Sequence, residues 1–288
     1  MKPATLGLTA AAMTAFAANS VLCRAALGRG LVDPVTFTTL RLVSGAAVLF
    51  LLTRSRGVPA ASRDLHASGA LFAYALGFSL AYVRIPAALG ALLLFGSVQG
   101  TMLGWGLATG ERPRAVEWAG LALSTAGLVA LTLPGLRGGG GEIVGALLML
   151  GAGVAWGVYT LLGRSTHGGP LASNAARFAG AVPMALLASL AAAGVGSPHA
   201  TPAGAVLALA SGAFASGLGY AAWYAAVRSL SATRAAIVQL SVPPLAALGG
   251  VAFLGEALSV RLVLAAAAVL GGIALATAGQ RRRSSPAE

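Results

Sequence analysis

The sequence predicts an all-α protein that crosses a membrane many times, and two observations carry that reading. Hydrophobic residues make up 57% of the 288 and charged residues only 9%, against about 25% charged in a soluble domain. The apolar residues also gather in stretches of about 20, the length a helix needs to cross a bilayer. With 19 basic and 7 acidic side chains, a soluble protein of this size has too little charge to cover its surface. Disordered chains, coiled coils and ordinary cytosolic enzymes are excluded on the same ground. Cys23 is the only cysteine, so no intramolecular disulfide or cysteine metal cluster forms.

Ten stretches qualify as spans: 5–27, 35–53, 66–84, 86–108, 115–134, 142–164, 172–194, 203–228, 232–254 and 260–279. The first contains Ala15-Phe16-Ala17, which fits a signal-peptide cleavage site. Its apolar core is too long for such a peptide and its basic head is only Lys2, so it is expected to be a retained first helix. Asp33-Pro34 separates the first two spans, and Arg54 to Asp64 separates the second from the third. Glu111-Arg112-Pro113 ends the fourth, and Gly138 to Gly141 ends the fifth. The joints at Arg84 to Pro86 and at Arg228 to Ala232 are tight. Eight longer helices are the competing count, but 67–110 is too long for one crossing.

A net charge of +12 raises the question of nucleic acid. The arginines, however, lie scattered at the ends of apolar stretches, and only Arg281, Arg282 and Arg283 form a run. Membrane proteins collect Lys and Arg in cytoplasmic loops. Placing Lys2, Arg54, Arg56, Arg63, Arg112, Arg114, Arg164 and the terminal run inside gives the larger inward count. Both termini are therefore expected in the cytoplasm of a bacterial inner-membrane protein, with lipid and a small-molecule substrate as partners and no nucleic acid.

The two halves of the chain also match each other. A shift of 145 residues places Gly110-Glu111 on Gly255-Glu256, Ala87 on Ala232 and Gly104 on Gly249. Near the start of each half, Arg41 falls on Arg177 and Ser20 on Gly157. The expected organisation is a first repeat at 1–135, a linker at 136–141, a second repeat at 142–280 and a basic tail at 281–288. Five helices per repeat is an odd number, so the second copy enters the membrane inverted. Inverted repeats around a midplane site are a transporter architecture.

The segment Asn19-Ser20-Val21-Leu22-Cys23-Arg24, followed by Asp33-Pro34 and Leu40-Arg41, resembles the opening of an EamA-type half. So does Ala155-Trp156-Gly157-Val158-Tyr159 followed by Arg177-Phe178. Gly219-Tyr220-Ala221-Ala222-Trp223-Tyr224, then Ala235, Pro243-Pro244 and Leu254-Gly255-Glu256, is similar to the closing of the second half. The likeness to the EamA group of the drug/metabolite transporter superfamily covers almost the whole chain. It implies ten helices in two inverted repeats, a central cavity and carriage of small metabolites, often efflux of amino acids or related compounds. Asn19-Ser20 replaces the aromatic-glycine pair kept at Trp156-Gly157, and Val98-Gln99 stands where the second half has Pro243-Pro244. Both departures fall where substrate is expected.

Seven residues are candidate substrate contacts. Trp156, Tyr159, Tyr220 and Trp223 offer ring faces to an apolar side chain. Asn19, Gln99 and Gln239 are buried amides that need a neighbouring helix or a ligand. Arg41 and Arg177, embedded about a turn or two inside their helices, are gate or structural residues, as are Pro243 and Pro244. The two prolines are expected to break the ninth helix and free carbonyls. No carboxylate lies deep in a span: Glu111, Glu142 and Glu256 sit at helix ends and Glu117 near the start of the fifth. Buried acids mark proton relays and cation sites, so a neutral or zwitterionic substrate is favoured, and Glu→Gln at these four positions is expected to leave exchange intact. No cofactor or metal is implied. Multidrug efflux or uptake is the alternative carrier. An intramembrane enzyme needs an embedded base, and His66, His167 and His199 all lie in loops or at span edges.

Overall fold

The computed structural model describes residues 3–54, 64–110, 115–132, 140–163, 170–194, 196, 198–227, 238–239 and 241–281. Among these the regular structure is helical, apart from one isolated bridge between Val32 and Ala200. The helices are α1 (Pro3–Leu27), α2 (Pro34–Thr53), α3 (Leu65–Tyr82), α4 (Ala87–Ala108), α5 (Ala115–Thr132), α6 (Gly141–Gly163) and α7 (Pro170–Ala193). There follow α8 (Pro202–Ala210), a π-helical segment (Ser211–Leu218), α9 (Gly219–Val227), α10 (Val242–Leu254) and α11 (Val260–Arg281). From α8 through the π segment into α9 the chain forms one rod.

Among the described residues seven helices are long and apolar enough to cross a membrane: α1, α2, α3, α4, α6, α7 and the α8–α9 rod. Two shorter apolar helices, Val242–Leu254 and Val260–Gly272, lie beyond them. The ten spans expected from sequence thus correspond to seven by this measure. The first part of the stretch expected at 232–254 lies outside the described residues, as do Glu111, Arg112, Arg114, Arg228 and the tail beyond Arg281.

Polarity is distributed as a lipid solvent requires. Leu187, Leu190, Phe253 and Val260 are each at least two-thirds exposed, whereas Thr38, Arg41, Ser79, Asn174, Arg177, Ser211 and Ser216 are buried. Large apolar residues outside and hydrogen-bonding side chains inside reverse the order of a water-soluble domain. The interior groups bond across helices: Thr38 Oγ1 donates to Ser79 Oγ at 2.8 Å, and Ser97 Oγ donates to the Leu150 carbonyl at 2.7 Å.

Contacts fix the direction of each helix. At the distal end of the bundle, opposite the N-terminus of α1, α1 and α3 finish while α2, α4 and α8 begin. There the Asp33 carboxylate accepts from the His199 N–H at 3.0 Å, and the Leu31 carbonyl accepts from the Thr201 N–H at 2.8 Å. Helix α6 also begins at that end, since a Cβ on Gly145 would meet Ile85 Cγ2 at 2.7 Å. Thr39, early in α2, hydrogen-bonds the Ala185 carbonyl late in α7, so these two helices are antiparallel. Ser124 of α5 donates to the Val269 carbonyl of α11 at 3.1 Å, while Gly120 lies against Gly272; this pair is antiparallel too. Helices α1 and α6, α3 and α8, and α4 and α10 likewise run in opposite senses.

The caps at the distal end are built from the breakers seen in the sequence. Asp33 Oδ1 accepts from the N–H groups of Val35 and Thr36 at 3.0 and 2.9 Å, with Pro34 opening α2. Thr201 caps α8 through the Gly204 N–H, with Pro202 next. Burial pushes the Asp33 carboxyl up, but hydrogen bonds from Thr36, His199 and Val35 outweigh it and hold the group below its ordinary value. A carboxyl depressed on folding stabilises the protein above its unfolded pKa, and that contribution is lost as pH falls through the folded value. Asp33→Ala is therefore expected to cost about 1 kcal/mol at neutral pH, the usual worth of an N-cap. The gap from wild type should narrow steadily in thermal unfolding below about pH 4.

Pro243 and Pro244 do not interrupt a described helix. Val238 and Gln239 are helical, Ser241 stands in a turn, and the prolines occupy the first turn of α10, where a missing N–H costs nothing. The Val238 carbonyl freed by this restart accepts from both the N–H and the Oγ of Ser241, at 3.0 and 2.7 Å. Pro243 is buried and Pro244 exposed.

Candidate functional site

A cavity lies near mid-height of the spans. Six aromatic side chains wall it: Phe16 of α1, Tyr74 and Phe78 of α3, Phe95 of α4, Trp156 of α6 and Tyr220 of α9. Asn19 and Ser20 supply its polar edge, and Leu94 and Ala215 complete the wall. Its free volume is about 20 Å³, room for little more than a water molecule, so the rings must part to admit a solute. Trp156 is the hub, its ring centroid 4.8 Å from Tyr74, 5.2 Å from Tyr220 and 5.3 Å from Tyr159. Contacts at these separations hold rings in offset or tilted stacks.

The residues singled out from sequence divide into three groups. Asn19, Trp156 and Tyr220 are on the cavity wall. Tyr159 and Trp223 stand one ring behind it, Tyr159 against Trp156 and Trp223 6.1 Å from Phe16. Gln99 and Gln239 are half-buried and are not among the wall residues. Phe16, Ser20, Tyr74, Phe78 and Phe95 were not singled out. Tyr74 carried the same signal as Tyr220, a tyrosine well inside an apolar span.

Polar contacts tie the wall together across the halves. Ser211 Oγ, in the π segment, donates to Asn19 Oδ1 at 2.6 Å. Arg41 is 2% exposed; its Nε donates to Ser216 Oγ at 3.2 Å and its Nη2 to the Tyr74 hydroxyl at 2.9 Å. The guanidinium carbon lies 5.1 Å from the Tyr74 ring centre and 5.0 Å from that of Phe78. Arg177 is also buried, 5.4 Å from the Tyr159 ring, and donates to the Leu162 carbonyl at 3.2 Å. Tyr159 in turn donates its hydroxyl to Asn174 Oδ1.

The π segment is the local feature that allows this arrangement. π turns inside helices recur at functional sites because they re-aim side chains and free backbone groups. Here Ser211 and Ser216 both face inward, and Gly212 lets the Arg41 backbone approach so closely that a Cβ would collide with its carbonyl oxygen.

A second cluster joins the two halves of the chain at the distal end. Both carboxylate oxygens of Glu256, just after α10, accept from the Ala87 N–H at 2.9 Å. Pro86 offers α4 no side-chain cap, so a residue from the other half of the chain caps that helix, where the partial positive charge of its N-terminus favours an anion. Arg24 Nε lies 3.5 Å from Glu256 Oε1, and Arg24 Nη1 donates to the Tyr82 carbonyl at 2.8 Å. Glu256 is thus a cross-half latch, and a glutamine there loses the charge that faces both Arg24 and the helix N-terminus.

Comparison with known proteins places the chain in a family. The EamA-like transporter family matches residues 143–278. The chain is 51% identical over 283 residues to "Uncharacterized protein PA1977" of Pseudomonas aeruginosa, covering 98% of this chain and 97% of that one. A solved crystal structure, described only as that of a protein, shares the fold with a TM-score of 0.66 at 24% identity, covering 98% of this chain and 99% of the other. Apolar crossing helices, a buried polar interior and these matches agree: the chain belongs to the EamA-like transporter family and is a multi-pass membrane protein of the drug/metabolite transporter type.

Proposed function

We propose that this protein is an inner-membrane secondary carrier that exports amino acids or related small zwitterionic metabolites by alternating access. The observation that carries the reading is the aromatic cavity at mid-height, whose wall takes Phe16, Tyr74 and Phe95 from the first half and Trp156, Ala215 and Tyr220 from the second. A site shared between halves is exposed to one side or the other when the halves rock. The two-repeat organisation is supported by the opposed senses of α1 and α6, α2 and α7, α3 and α8, α4 and α10, and α5 and α11. It is also supported by Gly110 and Gly255, which end α4 and α10 at φ of +90° and +69°. On this reading the distal end faces outward and the Arg24–Glu256 latch holds it shut.

The rings suit the apolar side of a solute, and the edge at Asn19 and Ser20 suits its polar head. Six aromatic rings would also receive a flat lipophilic drug. No carboxylate is on the wall among the described residues, and this disfavours the cationic members of that class.

The test is a thermal-shift panel on the purified protein with the common amino acids and with lipophilic cations. A ligand that binds only the folded state raises the melting temperature by mass action, worth about 2.7 kcal/mol at a hundred times its Kd. Apolar amino acids are expected to stabilise the wild type. Trp156→Ala is expected to shift the preferred side chain toward larger ones rather than to abolish binding. Stabilisation by the cations alone would support drug efflux and contradict amino-acid export.

A further inference from the structure

The buried arginine beside the cavity has no anionic partner among the described residues. Arg41 stays protonated in any protein environment, and an ionised group in a low-dielectric interior is expensive unless it is paired. Its hydrogen-bond partners are the neutral hydroxyls of Ser216 and Tyr74. Its Nη1 has no hydrogen-bond partner among the described residues, and the ion pairs among those residues are Arg24 with Glu256 and His66 with Asp64. The faces of Tyr74 and Phe78 offset part of the cost through their ring quadrupoles. Both rings are cavity wall, and Ser216 adjoins the wall residue Ala215. The unpaired charge therefore sits directly behind the surface a solute would touch.

We propose that Arg41 is the anion-recognition group of the transport site, and that the transported solute carries a carboxylate which pairs with Nη1 while the Tyr74 hydroxyl supports it. This rests on the proposed carrier function and narrows its substrate class. The Tyr74 oxygen already accepts from Nη2, which leaves its own proton available to the same carboxylate. Charge-assisted contacts of this kind are the strong ones. In the empty protein Arg41 braces α2 against α3 and the π segment; with solute bound the charge is answered. Recognition thus shifts from the amides Gln99 and Gln239 to a residue whose charge no described residue answers.

The test compares matched pairs of ligands. Thermal shift and equilibrium binding are measured on the full-length protein with L-phenylalanine, L-leucine and L-valine and with the carboxamide of each, which keeps the side chain and amine but removes the anion. Wild type is expected to bind at least one acid at least ten-fold more tightly than its amide. Arg41→Gln should erase that preference, bringing acid and amide affinities to within about two-fold of each other, and Arg41→Lys should restore part of it. A purely structural arginine would weaken acid and amide alike. Equal affinity of wild type for acid and amide overturns the proposal while leaving the carrier reading in place, and so does an acid preference that persists in Arg41→Gln. Failure of wild type to bind any acid or amide contradicts the zwitterion reading itself and removes the proposal with it. The wild-type comparison decides the matter even if an Arg41 variant does not fold.

Discussion

Gly212→Ala is expected to be among the most damaging single-methyl changes in the molecule. The new Cβ would collide with the Arg41 carbonyl oxygen and with Ser44 Oγ. Ser44 can rotate away, at the loss of its bond to the Leu209 carbonyl, but the Arg41 backbone lies inside α2 and cannot. Overpacking of this kind costs about 1–3 kcal/mol, and here it also levers α2 off the π segment, pulling Arg41 Nε from Ser216. The melting temperature of the purified protein should fall markedly and ligand-induced stabilisation should fall with it. Gly7→Ala is the control: nothing lies within 4 Å of a Cβ there, and alanine favours a helix interior by about 0.5–1 kcal/mol. Equal melting temperatures for the two variants would show that α2 and the π segment are not in close contact.

The second large effect concerns the distal latch. Breaking a hydrogen bond to a charged group costs about 1.5–3 kcal/mol, so losing the Glu256 charge should shift the balance between closed and open distal ends about ten- to a hundred-fold. Cys23 is a native reporter, the only cysteine of the chain, fully buried and one residue from Arg24. A membrane-impermeant maleimide applied from the outside should label wild type slowly and Glu256→Gln or Arg24→Ala much faster. Because the two residues act on each other, the double variant should label no faster than the more reactive single one. Unchanged labelling in Glu256→Gln would mean that the latch does not hold this end closed.

The all-helical membrane class was legible because it depends on composition and span length, which a sequence carries directly. Asn19, Trp156 and Tyr220 were legible as polar or aromatic residues deep in apolar spans. Their depth says nothing of which helix face they occupy, so Gln99 and Gln239 were grouped with them although they lie off the wall. Phe16 and Phe95 were hidden because a phenylalanine in a membrane helix is unremarkable until its neighbours are known. The latch was hidden for another reason: Glu256 caps a helix 169 residues away, and only the bare N-terminus after Pro86 hinted at a missing partner. The π segment left no trace in Ser211–Leu218, a run of small residues that fits an ordinary helix equally well.

Counterflow in proteoliposomes tests the central claim most directly. Vesicles holding wild-type protein and preloaded with an unlabelled apolar amino acid should accumulate the labelled form from outside well above protein-free vesicles. The accumulation should be transient, and Trp156→Ala should alter which amino acid supports it. Uptake equal to that of protein-free vesicles for every amino acid, from protein shown to be folded, would contradict the account.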